Sequence, residues 1–308
     1  MKEALATLQF YPRKDPRMRL FALWYFTILL IIGTLLGHTI LGFEQAWAHH
    51  AVCLGAAVLT HAFLEWVEAR SKGRPLRFAG GMANFVNFLP PAIIPGLAIA
   101  TLLYPNDRFW PVIFAAVLSI ASKVLVRAPV GNNLTQHVFN PSNFGMTATL
   151  LVLPFVGVAP PYHFTEGITG AWDWVAPGIL LTSGIVIHAL FTDRLVLVMA
   201  WITGFVLQAL ARSWLYDIPA VVPLAPMTSV AFMLFTLYMI PDPATTPLKK
   251  SHQAVFGFAV AVMYGLLLVN NVVYGLFLAL FLVCAGRGIL LYLTSWRRRN
   301  MPAVTGRA

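Results

Sequence analysis

The sequence predicts an all-α, polytopic membrane protein of about ten transmembrane helices, and three observations carry that prediction. Apolar residues make up 59% of the 308 and charged residues only 10%, with a mean hydropathy of +0.75, beyond the range of globular domains. Leu20 to Phe43 holds no Asp, Glu, Lys or Arg, a stretch long enough to cross a hydrocarbon core ~30 Å thick. The basic residues sort by side: with the N-terminus in the cytoplasm, all but two of the 21 Lys and Arg (Arg108 and Arg212) fall on inner segments. The net charge of +10 therefore reads as topology facing anionic lipid headgroups, and nucleic acid is not needed to explain it.

Spans are expected at roughly 20–42, 46–67, 80–104, 109–128, 140–158, 174–192, 195–215, 225–240, 254–269 and 272–293, an even number that keeps both termini inside. The whole chain reads as a single integral-membrane domain. It comprises an inner segment 1–19, a first half 20–158, a second half 174–293 and an inner tail 294–308. The first span is too long for a signal peptide and is followed by further spans. The second ends on Glu65 and Glu68, which face Arg70–Arg77 and are expected to form interfacial ion pairs. The third contains Asn84, Asn87, Pro90, Pro91 and Pro95, so it cannot be one continuous helix. The fourth carries Lys123 near its inner end.

The fifth span opens on His137-Val138-Phe139-Asn140-Pro141-Ser142-Asn143-Phe144-Gly145, the stretch around which the reading is organised. Proline suits the first helical turn, and Asn140 before it stands in the capping position. Such a mouth presents N–H groups and positive dipole, and at membrane depth irregular backbone persists only where protein or a cavity covers it. The eighth span is short and ends in Tyr238-Met239-Ile240-Pro241-Asp242-Pro243-Ala244-Thr245-Thr246-Pro247 before Lys249 and Lys250. An ordinary proline-rich helix stop accounts for this stretch. An acid at the edge of the hydrocarbon is also a candidate functional group, and the topology puts Asp242 on the same face as Asn140. If the chain is two halves of five spans, the third and eighth correspond, and the odd number inverts the halves. Interrupted segments at matching positions of inverted halves point to a midplane site.

Cys53 and Cys284 each lie in an apolar run with no C-x-x-C spacing, so both read as packing residues. No dinucleotide fingerprint or P-loop is present, so the chain is not expected to bind NADH or ATP by itself. The seven tryptophans near span ends, Trp24, Trp47, Trp66, Trp110, Trp172, Trp174 and Trp296, read as an aromatic belt. His38, His49, His50 and His163 fall in the outer half, where His38 with His49 or His50 could hold a metal. His61, His137, His188 and His252 fall in the inner half. His61 and His188 lie at similar depth in different spans, the arrangement of a b-type haem, although intramembrane histidines more often bond a neighbouring carbonyl or hydroxyl.

The two unusual stretches together resemble the RnfD/NqrB family, whose members are membrane components of the Rnf electron-transport complex and of the sodium-pumping NADH:quinone reductase. Members read K-x-x-x-G, then N-x-F-N-P-A-x-x-G, and later T-D-P-x-T-x-x-x-T, a basic residue or two, and I-F-G. This chain offers Lys123, Asn132 or Asn133, Phe139-Asn140-Pro141-Ser142 with Gly145, then Asp242-Pro243-Ala244-Thr245, Lys249 and Lys250, and Val255-Phe256-Gly257. Leu89-Pro90-Pro91 resembles the family's L-P-P, and order and spacing match over about residues 80–270. The resemblance implies ten spans in inverted halves, similar to ammonium and urea channels, and flavin and quinone redox work inside a larger complex. Asn140, with Pro141, Asn143 and Gly145, would meet a flavin, and Asp242, Thr245, Thr246, Lys123, Asn84 and Asn87 would line the same region. The chain departs from the family at the covalent-FMN motif: the nearest string, Met146-Thr147-Ala148-Thr149, has Asn143 in place of Asp and lies within a span. The loop 159–173 holds only Thr165 and Thr169 in other contexts. The implied cofactor is thus a non-covalent flavin, FMN or riboflavin, as in divergent relatives encoded beside secondary-metabolite genes, those for enediynes included.

The expected function is electron transfer within the membrane, with redox protein partners, at most as one part of an oxidoreductase complex. The alternatives are a channel or transporter of a small polar solute or flavin, a haem b electron carrier, and a membrane anchor for a soluble redox partner.

Overall fold

The structure, a computed structural model, describes residues 16–131, 134–160 and 170–300; Asn132, Asn133, His163, Thr165 and Thr169 lie outside them. Among the described residues seven helical stretches are long and apolar enough to cross a membrane: Arg17–Thr39, Trp47–Ser71, Met82–Leu102, Gly170–Thr192, Leu195–Leu215, Lys250–Val269 and Gly275–Arg298. The protein is therefore a multi-pass membrane protein of the all-α class, almost without strands, with lipid as the solvent of its outer faces. Trp110–Leu125, Pro141–Val152 and Val230–Met239 are shorter. At ~1.5 Å per residue they fall short of a ~30 Å core, so the expected spans 109–128, 140–158 and 225–240 are over-long. Pro154 ends the fifth early: the residue before a proline is pushed out of the helical region, and Leu153 is already extended in ψ at 89°.

The helices are α1 (Pro16–Thr39), α2 (Trp47–Ser71), α3 (Met82–Phe88), α4 (Pro90–Leu102), α5 (Trp110–Leu125) and α6 (Pro141–Val152). They continue with α7 (Val175–Ile187), α8 (Leu195–Leu215), α9 (Val221–Leu224), α10 (Val230–Leu234), α11 (Lys250–Val269) and α12 (Gly275–Asn300). The third span breaks at Leu89, where Pro90 and Pro91 start a new helix. The eighth runs α9, a 3₁₀ turn Ala225–Thr228, α10, and a π-helical turn Phe235–Met239. A second π turn, His188–Thr192, closes α7. Two short antiparallel pairs join neighbouring elements: β1 (Leu103–Tyr104) with β4 (Gly157–Val158), and β2 (Arg127–Gly131) with β3 (Leu134–His137).

Packing repeats along the chain. α2 packs on α4 and α5, and α5 on α6; later, α8 packs most extensively on α11, and α11 on α12. Glycine permits the close approaches. Gly145 of α6 faces the Ala115 carbonyl of α5, and Gly257 of α11 faces the Leu197 carbonyl of α8. One apolar core runs through both sets, from Cys53, Ile99, Val112 and Met146 to Trp201, Phe235, Phe277 and Leu280.

At the C-terminal end of α2, Glu65 is almost fully buried and takes two Arg74 guanidinium nitrogens at 2.6 and 2.9 Å and the Arg77 backbone N–H at 2.8 Å. Glu68 takes Lys72 at 2.8 Å and Arg74 at 2.9 Å, so the expected interfacial ion pairs are present. The Glu65 hydrogen bond pushes the Arg74 guanidinium further up from its already high range. Glu65→Gln removes the charge from the centre of this clamp and should cost about 2 kcal/mol. The check is faster tryptic cleavage after Lys72 and Arg77 in the variant than in wild type.

Candidate functional site

In an α-helix each carbonyl accepts from the N–H four residues on, and proline has none to give. Pro95, Pro241 and Pro243 therefore remove the α-helical partners of Pro91, Leu237 and Met239. A side chain from another span takes each freed carbonyl. Lys123 Nζ of α5 donates to the Pro91 carbonyl. His188 Nε2 donates to the Leu237 carbonyl at 2.6 Å. Asn140 Nδ2 donates to the Met239 carbonyl at 3.3 Å. The broken spans are thus closed by polar side chains.

The third closure is the point where the two unusual stretches meet. Asn140 caps α6: its Oδ1 accepts from the Asn143 backbone N–H at 3.1 Å and from Ser142 Oγ at 2.8 Å. Its Nδ2 also reaches Asp242 Oδ2 at 3.4 Å. Asp242 holds its own loop together, Oδ1 accepting from the Ala244 N–H at 2.9 Å and its carbonyl accepting from Thr245 and Thr246. Burial pushes the Asp242 carboxyl up, against the opposing pull of the Ala244 N–H and the charges of Lys123 and Arg194. Buried Arg194 donates to Thr246 Oγ1 at 2.9 Å, Gln136 Nε2 to the Thr246 carbonyl at 3.2 Å, and Arg287 to the Thr245 carbonyl at 2.8 Å and Gln136 Oε1 at 2.9 Å. Beside this loop, Lys250 pairs with Asp193, and Tyr292 donates to the Arg127 carbonyl. Basic residues from four separate segments, Lys123 with Arg127, Arg194, Lys250 and Arg287, therefore gather on one face.

Asn140, Pro141, Asn143, Gly145, Asp242, Thr245, Thr246 and Lys123 belong to this junction or the helices that frame it. Asn143 is fully buried, donates Nδ2 to the Phe277 carbonyl at 3.1 Å, and leaves Oδ1 with no partner among the described residues. Gly145 serves helix packing against α5. Asn84 and Asn87 bond elsewhere: Asn84 to the Ala79 carbonyl at 3.0 Å, and Asn87 to Trp24 Nε1 at 2.9 Å, both exposed. They are not joined to the junction, because α3 turns these amides toward its own entry loop and toward α1.

Three further residues enter the site. Gln136 sits on β3, and Arg287 and Cys284 sit on α12, where Cys284 neighbours the Asn140 backbone and Asp242. Cys284 is buried in the apolar core, as its run in the sequence predicts. His137, also on β3, is pushed down to about 3 by burial with the Arg127 and Lys123 charges adding, and its Nδ1 has no partner among the described residues.

The histidine pair reads differently in three dimensions. His188 accepts at Nδ1 from Thr192 Oγ1 at 2.8 Å while Nε2 serves Leu237, so neither nitrogen offers the open lone pair that an axial ligand needs. His61 stacks on Phe88 with centroids 4.2 Å apart. On the opposite face His38 has both nitrogens on backbone carbonyls, and among the described residues no group of three or more His, Cys, Asp or Glu is arranged to hold a metal ion. The sequence matches no family model and no curated protein.

Proposed function

We propose that the chain is an integral-membrane electron-transfer component, a divergent relative of the RnfD/NqrB family. It holds FMN or riboflavin without a covalent link, and works with a quinone and with redox protein partners on its inner face. One observation carries the reading: the stretches that bear the resemblance, 102 residues apart in sequence, are joined in space by the Asn140–Asp242 contact. Ten spans in two inverted halves, with both termini inside a bacterial cytoplasmic membrane, complete the proposal. The recurrence of the α2–α5 and α8–α11 packing supports it, since these are the second and fourth spans of each half.

The residues at the junction fit a flavin's pyrimidine edge, which needs paired donors and acceptors. Among the described residues Asn140 Nδ2 makes only long bonds, at 3.3 and 3.4 Å, and Asp242 Oδ2 accepts nothing shorter. Lys123 supplies positive charge beside Asp242. Asn140 and Asp242 would bind that edge, and Lys123 would balance negative charge gained on it. A bound flavin supplies one- and two-electron transfer. Detergent-purified protein is expected to show flavin absorbance, with occupancy falling about tenfold in Asn140→Ala. Protein that stays flavin-free after incubation with FMN and riboflavin would remove the proposal.

A channel or carrier for a small polar solute is the second reading, favoured by proline breaks in both the third and the eighth span. Solute flux in proteoliposomes with no redox donor would select it.

A further inference from the structure

One face of α6 carries oxygen atoms that the junction does not use. An α-helix turns ~100° per residue, so Asn140, Asn143 and Thr147 fall within an arc of ~60° and form a stripe leading from the junction along the helix. All three are buried, Asn143 and Thr147 at 1% and 0% exposure. The bond from Asn143 Nδ2 to the Phe277 carbonyl of α12, at 3.1 Å, fixes the orientation of the amide, and Oδ1 has no partner among the described residues. Thr147 Oγ1 has none either. A helical threonine can donate to the carbonyl four residues back, and Thr27, Thr60 and Thr149 each do so at 2.7 Å; Thr147 makes no such bond. Leu150, the next residue on this face, is apolar and buried and closes the stripe.

We propose that Asn143 and Thr147 hold an ordered water molecule between them. Two bare polar atoms in an apolar core are costly, and a bound water is the ordinary means of satisfying such a pair. The spacing suits it. Side chains four residues apart on a helix have β-carbons ~5–6 Å apart, and one water making two bonds of ~2.8 Å covers that interval. The bonding roles agree as well. Asn143 Oδ1 only accepts, whereas the Thr147 hydroxyl both donates and accepts, so a water donates to the first and meets the second in either sense. Both oxygens are neutral, and Met146, Leu150 and Phe277 beside them are buried and apolar. An ion bound there would lack a counter-charge, so the occupant is neutral. Through the Asn143 N–H on Asn140 Oδ1 the stripe is continuous with the junction, and the water carries that network ~10 Å along α6. It stands independently of whether the junction binds flavin.

The test is X-ray radiolysis of the purified full chain in detergent, with oxidation read by mass spectrometry against an unirradiated control. A brief pulse splits bound water into hydroxyl radicals, which oxidise the side chains beside it. Met146, three residues from Asn143 and next to Thr147, is fully buried. So is Trp201 on α8, whose indole N–H is already taken by Thr236 Oγ1 at 2.9 Å. Oxidation is expected at Met146 and not at Trp201 in wild type. It should fall about fivefold at Met146 in Thr147→Val and return in Thr147→Ser, which keeps the hydroxyl. Thermal unfolding adds an independent sign. Valine matches threonine in shape, so removing a hydroxyl with no partner raises the unfolding midpoint, whereas removing one bonded to water lowers it. The midpoint of Thr147→Val is expected to fall by about 3 °C. Met146 oxidised no more than Trp201 in wild type, Met146 oxidation unchanged in Thr147→Val, or a midpoint that holds or rises in that variant overturns the proposal.

Discussion

Gly145→Ala is expected to destabilise the protein by about 3 kcal/mol, lowering the midpoint of thermal unfolding in detergent by about 5 °C or more. A β-carbon at this position would lie 2.2 Å from the Ala115 carbonyl oxygen and 2.9 Å from Ser119 Cβ. The nearer obstacle is backbone in the middle of α5, so no side-chain rotation relieves the clash and the two helices must separate. Gly257→Ala should behave alike, with a β-carbon 2.4 Å from the Leu197 oxygen and 3.0 Å from the Trp201 nitrogen. Two other helical glycines supply the contrast. Among the described residues nothing lies within 4 Å of a β-carbon added at Gly55 or Gly178, and alanine there should stabilise by roughly 0.5–1 kcal/mol through helix propensity. Equal effects at all four positions would sink the packing argument.

Asn140→Ala should cost roughly 2–3 kcal/mol, because it uncaps α6 and leaves the Met239 carbonyl and the Ser142 hydroxyl without partners. Asn140→Asp separates the cap from the bridge. The carboxylate still accepts from the Asn143 N–H and Ser142, but it stands against Asp242, 3.4 Å from the atom it replaces. Two carboxylates this close cannot both ionise cheaply, so the folded pair holds a proton more tightly than the unfolded chain does. A folded pKa above the unfolded one gives stability that is present at low pH and lost as pH rises through it. The variant should therefore approach wild type at about pH 5 and fall furthest below it at about pH 8. A deficit independent of pH would mean that Asn140 and Asp242 are not neighbours.

Much of this architecture is legible in the sequence because apolar length and proline are local signals. Span positions follow from hydropathy, and Leu89 and the 221–239 segment break where prolines remove donors. A fifth span reaching residue 158 follows from counting apolar residues past Pro154, which overrides them. The β2–β3 hairpin is not legible, because Arg127–His137 alternates weakly and its strands pair beneath α12. Asn140 and Asp242 stand out as polar groups at helix ends. Arg287 does not, since its place at the junction comes from a tertiary approach that no spacing along α12 encodes. Asn84 and Asn87 show the converse: amides beside prolines are conspicuous in sequence, yet their bonds run to Ala79 and Trp24.

The Asn140 capping network has a consequence for biogenesis. The oxygens and nitrogens that complete it belong to Met239, Asp242 and, through Thr245, Arg287, all of which leave the ribosome long after α6 has entered the bilayer. Until those segments are inserted, the Asn140 Nδ2 must borrow its hydrogen bonds from water or from an assembly factor. A chain stalled before residue 287 should therefore remain open to quality-control proteases, however well its earlier helices are integrated.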